Sequence, residues 1–176
     1  MTQDEKNLLH AARDGDLKAL RAALDRGADT NVWDYASWTP LHLASWNGNT
    51  RCTRLLLDHG AEVEARNQHG QTPLHWAVWA NSIECVQILI KYGAEANSQE
   101  GNGQTPLHWA AGNGGIECVR LLLDHGADLS LRDNEGRTAR EIGLEKGHAE
   151  CADLLDVTVS REALDELWGE RREARP

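Results

Sequence analysis

Read for hydrophobic period, the chain alternates short apolar helical stretches with polar breaks. Cys52, Leu55 and Leu56 share one helical face, because residues three and four apart meet on the same side. Upstream, Leu41-His42-Leu43-Ala44-Ser45-Trp46 predicts a shorter helix. Thr39 suits its N-cap, and Pro40 suits the first helical position, where no amide hydrogen bond is lost. Gly48 ends this first helix where a positive φ is required, and Gly60 stops the second just past its C-cap. About ten extended residues then lead to another threonine.

That unit recurs. Thr39-Pro40-Leu41-His42 returns as Thr72-Pro73-Leu74-His75 and as Thr105-Pro106-Leu107-His108, 33 residues apart each time. The glycines of four Gly-Ala pairs (Gly27, Gly60, Gly93, Gly126) and four cysteines (Cys52, Cys85, Cys118, Cys151) keep the same interval. Three markers in one register establish a tandem array. Gly114 repeats the part of Gly48, and Asn81 is the tolerable substitute between them.

The T-P-L-H-x-A motif, the later leucine run and the following Gly-Ala resemble the ankyrin repeat, over residues 1 to about 156. The resemblance implies an all-α repeat solenoid with short β-hairpin fingers, each unit a helix-turn-helix followed by a finger. The units fall at about 1–33, 34–66, 67–99, 100–132 and 133–156. Lys6-Asn7-Leu8-Leu9 and Thr138-Ala139-Arg140-Glu141 replace the motif in the outer copies. Polar residues there read as caps with one face toward water, so the array is expected to be complete. Beyond Asp156 the register lapses, and 157–176 is expected to be a C-terminal helix and a flexible tail. Ser160 suits that helix's cap, and Ala163, Leu164, Leu167 and Trp168 fall on one side of it, either covering the last repeat or meeting a partner.

Charge and composition narrow the function. At −10, the chain is poorly suited to duplex nucleic acid, where affinity comes from basic residues neutralising phosphates. No stretch approaches the roughly 20 apolar residues that span a bilayer. The N-terminus lacks a secretory layout, which points to an intracellular, cytoplasmic or nuclear protein unless a precursor is trimmed.

Chemistry-bearing residues are distributed by the repeat. The four cysteines share one repeat position on stacked helices about 8–10 Å apart, beyond the ~7 Å Cα separation of a disulfide. Spread along the stack, they cannot converge on one metal either. They read as small buried apolar residues. His42, His75 and His108 are one feature repeated; the resemblance gives that histidine the role of ordering the turn and bonding backbone near the next repeat. His59 and His125 precede helix-ending glycines, at the negative end of the helix dipole. No nucleophile, base and orienting residue fall together, and no phosphate-cradling loop occurs. Neither enzymatic activity, a small-molecule substrate nor a cofactor is expected.

Seven tryptophans and no phenylalanine require explanation. Trp76 and Trp109 share a position that usually faces the neighbouring helix, where packing is the ordinary role. The resemblance places Trp33, Tyr35 and Trp38 on the first finger, and Trp46 and Trp79 at the ends of first helices, all lining the groove where partners bind. Exposed indoles are costly unless covered, and tryptophan and tyrosine are common interface anchors. Copy four carries Gly101, Asn102, Gln104, Gly112 and Asn113 at these places, so the groove is expected to be aromatic in its N-terminal half and small and polar beyond.

The expected function is a monomeric protein-interaction module or adaptor that grips a peptide or folded partner through Trp33, Tyr35, Trp38, Trp46 and Trp79. Arg66, His69 and Gln71 would add polar contacts. An alternative is a structural scaffold or spacer using its acidic convex face or C-terminal helix. A sharper variant is a methyl-lysine reader: some ankyrin arrays of that kind place tryptophans at the positions of Trp38 and Trp76. The chain is similar there and departs at Leu43 and Trp46.

Overall fold

The computed structural model describes residues 1–156, in which ten helices pair in sequence. The first members are α1 (Gln3–Asp14), α3 (Pro40–Trp46), α5 (Pro73–Trp79), α7 (Pro106–Gly112) and α9 (Ala139–Glu145). The second members are α2 (Leu17–Asp25), α4 (Thr50–Asp58), α6 (Ile83–Lys91), α8 (Ile116–Asp124) and α10 (Ala149–Leu154). Each first helix packs on its own second helix and on the first helix of the next pair; the second helices form a parallel layer in the same way. The result is a two-layer helical stack. The expected C-terminal helix and tail at 157–176 lie outside the described residues.

Packing follows the repeat interval. Leu8, Leu41, Leu74 and Leu107 form one buried column through the first layer. Leu20, Thr53, Val86, Val119 and Ala152 form another through the second, each 0% exposed. Such columns join every pair into one core, although a single pair has no second layer to cover it. At the place of those leucines the last pair carries Arg140, whose guanidinium reaches Asp156 at 3.0 Å. A charged residue is tolerated there because no further pair stacks on it among the described residues.

The helix ends are as the sequence predicts. Thr39 and Thr105 accept from the amides of His42 and His108, and Pro opens α3, α5 and α7. Gly48 and Gly114 have φ of 66° and 70°, and Asn81 takes the same left-handed conformation at 50°. His59 and His125 place Nδ1 2.8 Å from the carbonyls of Leu55 and Leu121, in the final turns of α4 and α8. All four cysteines are buried free thiols.

The fingers differ from β-hairpins. Among the described residues no strand forms, and the isolated bridge between Arg132 and Thr138 is the nearest approach to one. The reason lies in four residues at the repeat interval: Asp34, Asn67, Glu100 and Asp133. The amide of Asp34 donates to the carbonyl of Trp38 at 3.0 Å, closing a five-residue loop. A ladder would return the bond from the amide of Trp38, but Asp34 Oδ1 takes that amide at 3.0 Å, and the amide of Ala36 at 2.8 Å. Asn67, Glu100 and Asp133 do the same to Gln71, Gln104 and Arg137. A side-chain oxygen thus replaces the strand partner, the usual competition between Asx turns and regular structure. Single backbone bonds then join neighbouring fingers: Gln68 to Ala36, Gly101 to His69 and Asn134 to Asn102.

Candidate functional site

The histidines fix the geometry on which the candidate groove is built. His42, His75 and His108 are 0–1% exposed. The amide of Thr39 donates to His42 Nδ1 at 3.2 Å, so that nitrogen is the acceptor and Nε2 carries the proton. Nε2 donates to the carbonyl of Gln71, 3.0 Å away in the next finger. His75 and His108 repeat this, reaching Gln104 at 3.2 Å and Arg137 at 3.1 Å. Burial pushes His42 and His75 down to about 4, and His108 in the same direction; the carbonyl bonds oppose the shift without cancelling it. Each histidine is therefore a neutral strut tying one helix start to the following finger. The role implied by the resemblance is the one this geometry performs.

Five indoles form a continuous series beside these struts. Trp38 contacts Trp46 at 5.4 Å between ring centroids and Trp76 at 4.5 Å. Trp46 and Trp76 lie 6.1 Å apart. Trp76 meets Trp109 at 5.4 Å with planes 87° apart, and Trp79 meets Trp109 at 6.0 Å. Most of these contacts are edge-to-face, the arrangement favoured by the ring quadrupole. Trp38, Trp76 and Trp109 are half-buried, whereas Trp46 is 42% and Trp79 53% exposed. Trp76 Nε1 is buried without a hydrogen-bond acceptor. The two rings at the methyl-lysine reader positions, Trp38 and Trp76, pack on each other; they do not face one another across a gap sized for an ammonium head.

The remaining candidates divide by exposure and by engagement. Trp33 is 64% exposed and Tyr35 100% exposed, at the first finger. Trp38, expected beside them, instead leans over Trp76, one repeat further on. Arg66 is exposed, and its Nη1 donates to the carbonyls of Gly70 at 3.0 Å and Gln99 at 2.8 Å. His69 is exposed and Gln71 half-buried. Gln71 Oε1 accepts from Asn67 Nδ2 at 2.8 Å within its own finger. In the fourth pair Gly101, Asn102 and Asn113 are exposed, and Gln104 and Gly112 are half-buried. Gln99, which sequence reasoning did not single out, stands at the repeat position of Arg66; the 33-residue interval is the signal that finds it.

Burial raises the thiols of Cys52, Cys118 and Cys151, with Cys118 pushed up to about 11, the reverse of nucleophilic activation. Among the described residues no group of three metal-capable side chains converges. No helix among them is long and apolar enough to cross a membrane.

A family model described as ankyrin repeats (3 copies) matches residues 8–100 and 92–159. No curated protein matches the chain. The family match covers most of the chain and coincides with the stacked helix pairs and their Thr-Pro-Leu-His struts, so the chain belongs to the ankyrin-repeat family.

Proposed function

We propose that this protein is a non-catalytic interaction module whose partner lies against the exposed indoles Trp46 and Trp79, extending over Trp33 and Tyr35. Ankyrin repeats are in general protein–protein interaction modules. The observation that supports this face over others is exposure without structural need. Trp38, Trp76 and Trp109 already supply the aromatic packing between successive pairs, yet Trp46 and Trp79 leave 42% and 53% of their surface in water. Aromatic anchors set on a rigid scaffold lose little conformational entropy on binding, which is why such residues dominate interface energetics. The adaptor role follows from this reading: a module with one partner on its wall retains its other faces for a second.

Affinity capture from the native cell tests it. Wild-type protein is compared with Trp46→Ala/Trp79→Ala, both folded by circular dichroism. The partner should be recovered with wild type and depleted at least tenfold with the variant, given the 2 kcal/mol or more typical of a hot-spot aromatic. Equal recovery would remove this face as the binding site.

A further inference from the structure

One exposed finger cation lacks the carboxylate that its counterpart has. Arg66 and Arg132 occupy the same repeat position, as does Gln99 between them. All three brace their own finger, and Arg66 and Gln99 also reach the next one. Arg66 Nη1 donates to Gly70 and Gln99; Gln99 Nε2 donates to Gly103 at 2.7 Å and Arg132 at 3.1 Å; Arg132 Nη1 donates to Gly136 at 2.5 Å. Gln99 shows that bracing needs only an N–H donor on a side chain of this reach. The positive charge at Arg66 is surplus to it.

Arg132 shows what that charge can do. Its Nη1 lies 3.3 Å from Glu141 Oε2, nine residues on. Nine residues after Arg66 stands His75, buried and neutral, with its ring spent on Thr72 and Gln104. Among the described residues no carboxylate comes within ion-pair distance of Arg66. The neighbouring acids are committed elsewhere: Glu64 accepts from Glu95 and Ser98, and Glu100 from Asn102 and Gln104. By contrast Arg137, the next finger arginine, meets Asp133, Glu135 and Glu145. In a chain with ten more acidic than basic residues, a guanidinium fixed by two backbone carbonyls and answered by no carboxylate leaves room for an outside anion.

We propose that Arg66 is a carboxylate receptor: the partner is a peptide segment whose aspartate or glutamate docks on the outward edge of this guanidinium while its apolar side chains cover Trp46 and Trp79. The fork of Arg66 is held in place by two backbone carbonyls before the partner arrives, so little side-chain entropy remains to be lost. The chain's negative charge opposes an acidic partner only at long range, where salt at physiological strength screens it beyond about 8 Å; the docked pair is a contact interaction and outlasts that screening. This receptor rests on the groove reading above, and it adds a sign and a position to it.

The test is panning of a random linear peptide library against the full-length chain. Selected peptides are synthesised and titrated by fluorescence anisotropy against wild type, Arg66→Gln and Trp46→Ala/Trp79→Ala. Arg66→Gln copies Gln99, so the finger brace and the melting temperature should survive. The expected outcome is enrichment of Asp or Glu beside apolar residues, with affinity falling about tenfold or more on Arg66→Gln, the scale of a lost charge-assisted hydrogen bond. Converting the acid to its amide should cost wild type the same and cost Arg66→Gln nothing further. Peptides that need Trp46 and Trp79 but are indifferent to Arg66 would overturn the receptor and leave the groove standing. Peptides indifferent to both tryptophans, or no binders at all, would overturn the groove reading itself.

Discussion

Acid should dismantle this array through its histidines before its carboxylates are reached. His42 and His75 hold their pKa near 4, against about 6.5 for an exposed imidazole. The unfolded chain therefore binds protons that the folded chain refuses. Stability is full above pH 6.5, falls as pH drops from 6.5 towards 4, and levels for these groups below that. The slope between those limits is about 1.4 kcal/mol per pH unit for each histidine, and the integrated loss is roughly 3 kcal/mol each. His108 adds to it in the same direction. The cause is geometric: protonating Nδ1 turns the acceptor of the Thr39 or Thr72 amide into a second donor facing it. Urea unfolding followed by circular dichroism from pH 7.5 to 4.5, at constant ionic strength, measures the effect. His75→Gln isolates one strut, since carboxylates titrate alike in both proteins. The stability difference between wild type and variant should shrink by about 1.4 kcal/mol per unit below pH 6.5. Two parallel curves would refute the reasoning, because they would mean that His75 titrates equally in both states.

Further predictions concern packing. Ellman's reagent should find all four thiols silent in the native protein and reactive once it is unfolded, because Cys52, Cys85, Cys118 and Cys151 are each 0–1% exposed; a fast native thiol would place one of those helices at the surface. Gly101→Ala should lower stability by about 1–3 kcal/mol, an overpacking cost, because a Cβ there would lie 2.9 Å from the carbonyl of His69, the atom that Gly101 already bonds. Chemical denaturation reads it, and an unchanged midpoint would mean that the fingers have slack. Trp38→Ala should cost about 3 kcal/mol or more while Trp33→Ala stays within about 0.5, since the first ring is packed against three others and the second is 64% exposed. Similar melting temperatures for the two variants would contradict that division.

Much of this architecture is written in one interval. The Thr-Pro-Leu-His motif, the Gly-Ala pairs and the cysteines locate α3 to α8, their caps and their buried columns, because each rests on local chemistry copied in register. What the interval conceals is how side chains lean across it. Asp34 draws no notice in the sequence, and only its position in space shows Oδ1 occupying the amide that a strand would have paired. Trp38 was legible as a finger residue, but its half-burial depends on Trp76, 38 residues away in sequence and 4.5 Å away between centroids. Arg66 was legible as a finger cation, while its brace and its missing carboxylate emerge only beside Gln99 and Arg132.

The histidine struts also give the array a direction for growth. Each one runs from an imidazole to a carbonyl 29 residues onward, so a module must bring a donor forward and offer an acceptor back. A duplicate of residues 67–99 spliced in after residue 99 would find His75 behind it and supply its own donor to Gln104, and the longer protein should fold. In the fifth pair Glu141 stands in the histidine's place and turns its carboxylate onto the amide of Thr138 at 2.6 Å. An acceptor has no proton to hand on, so a copy joined behind α10 would have to be held by packing and finger-to-finger backbone bonds without that strut.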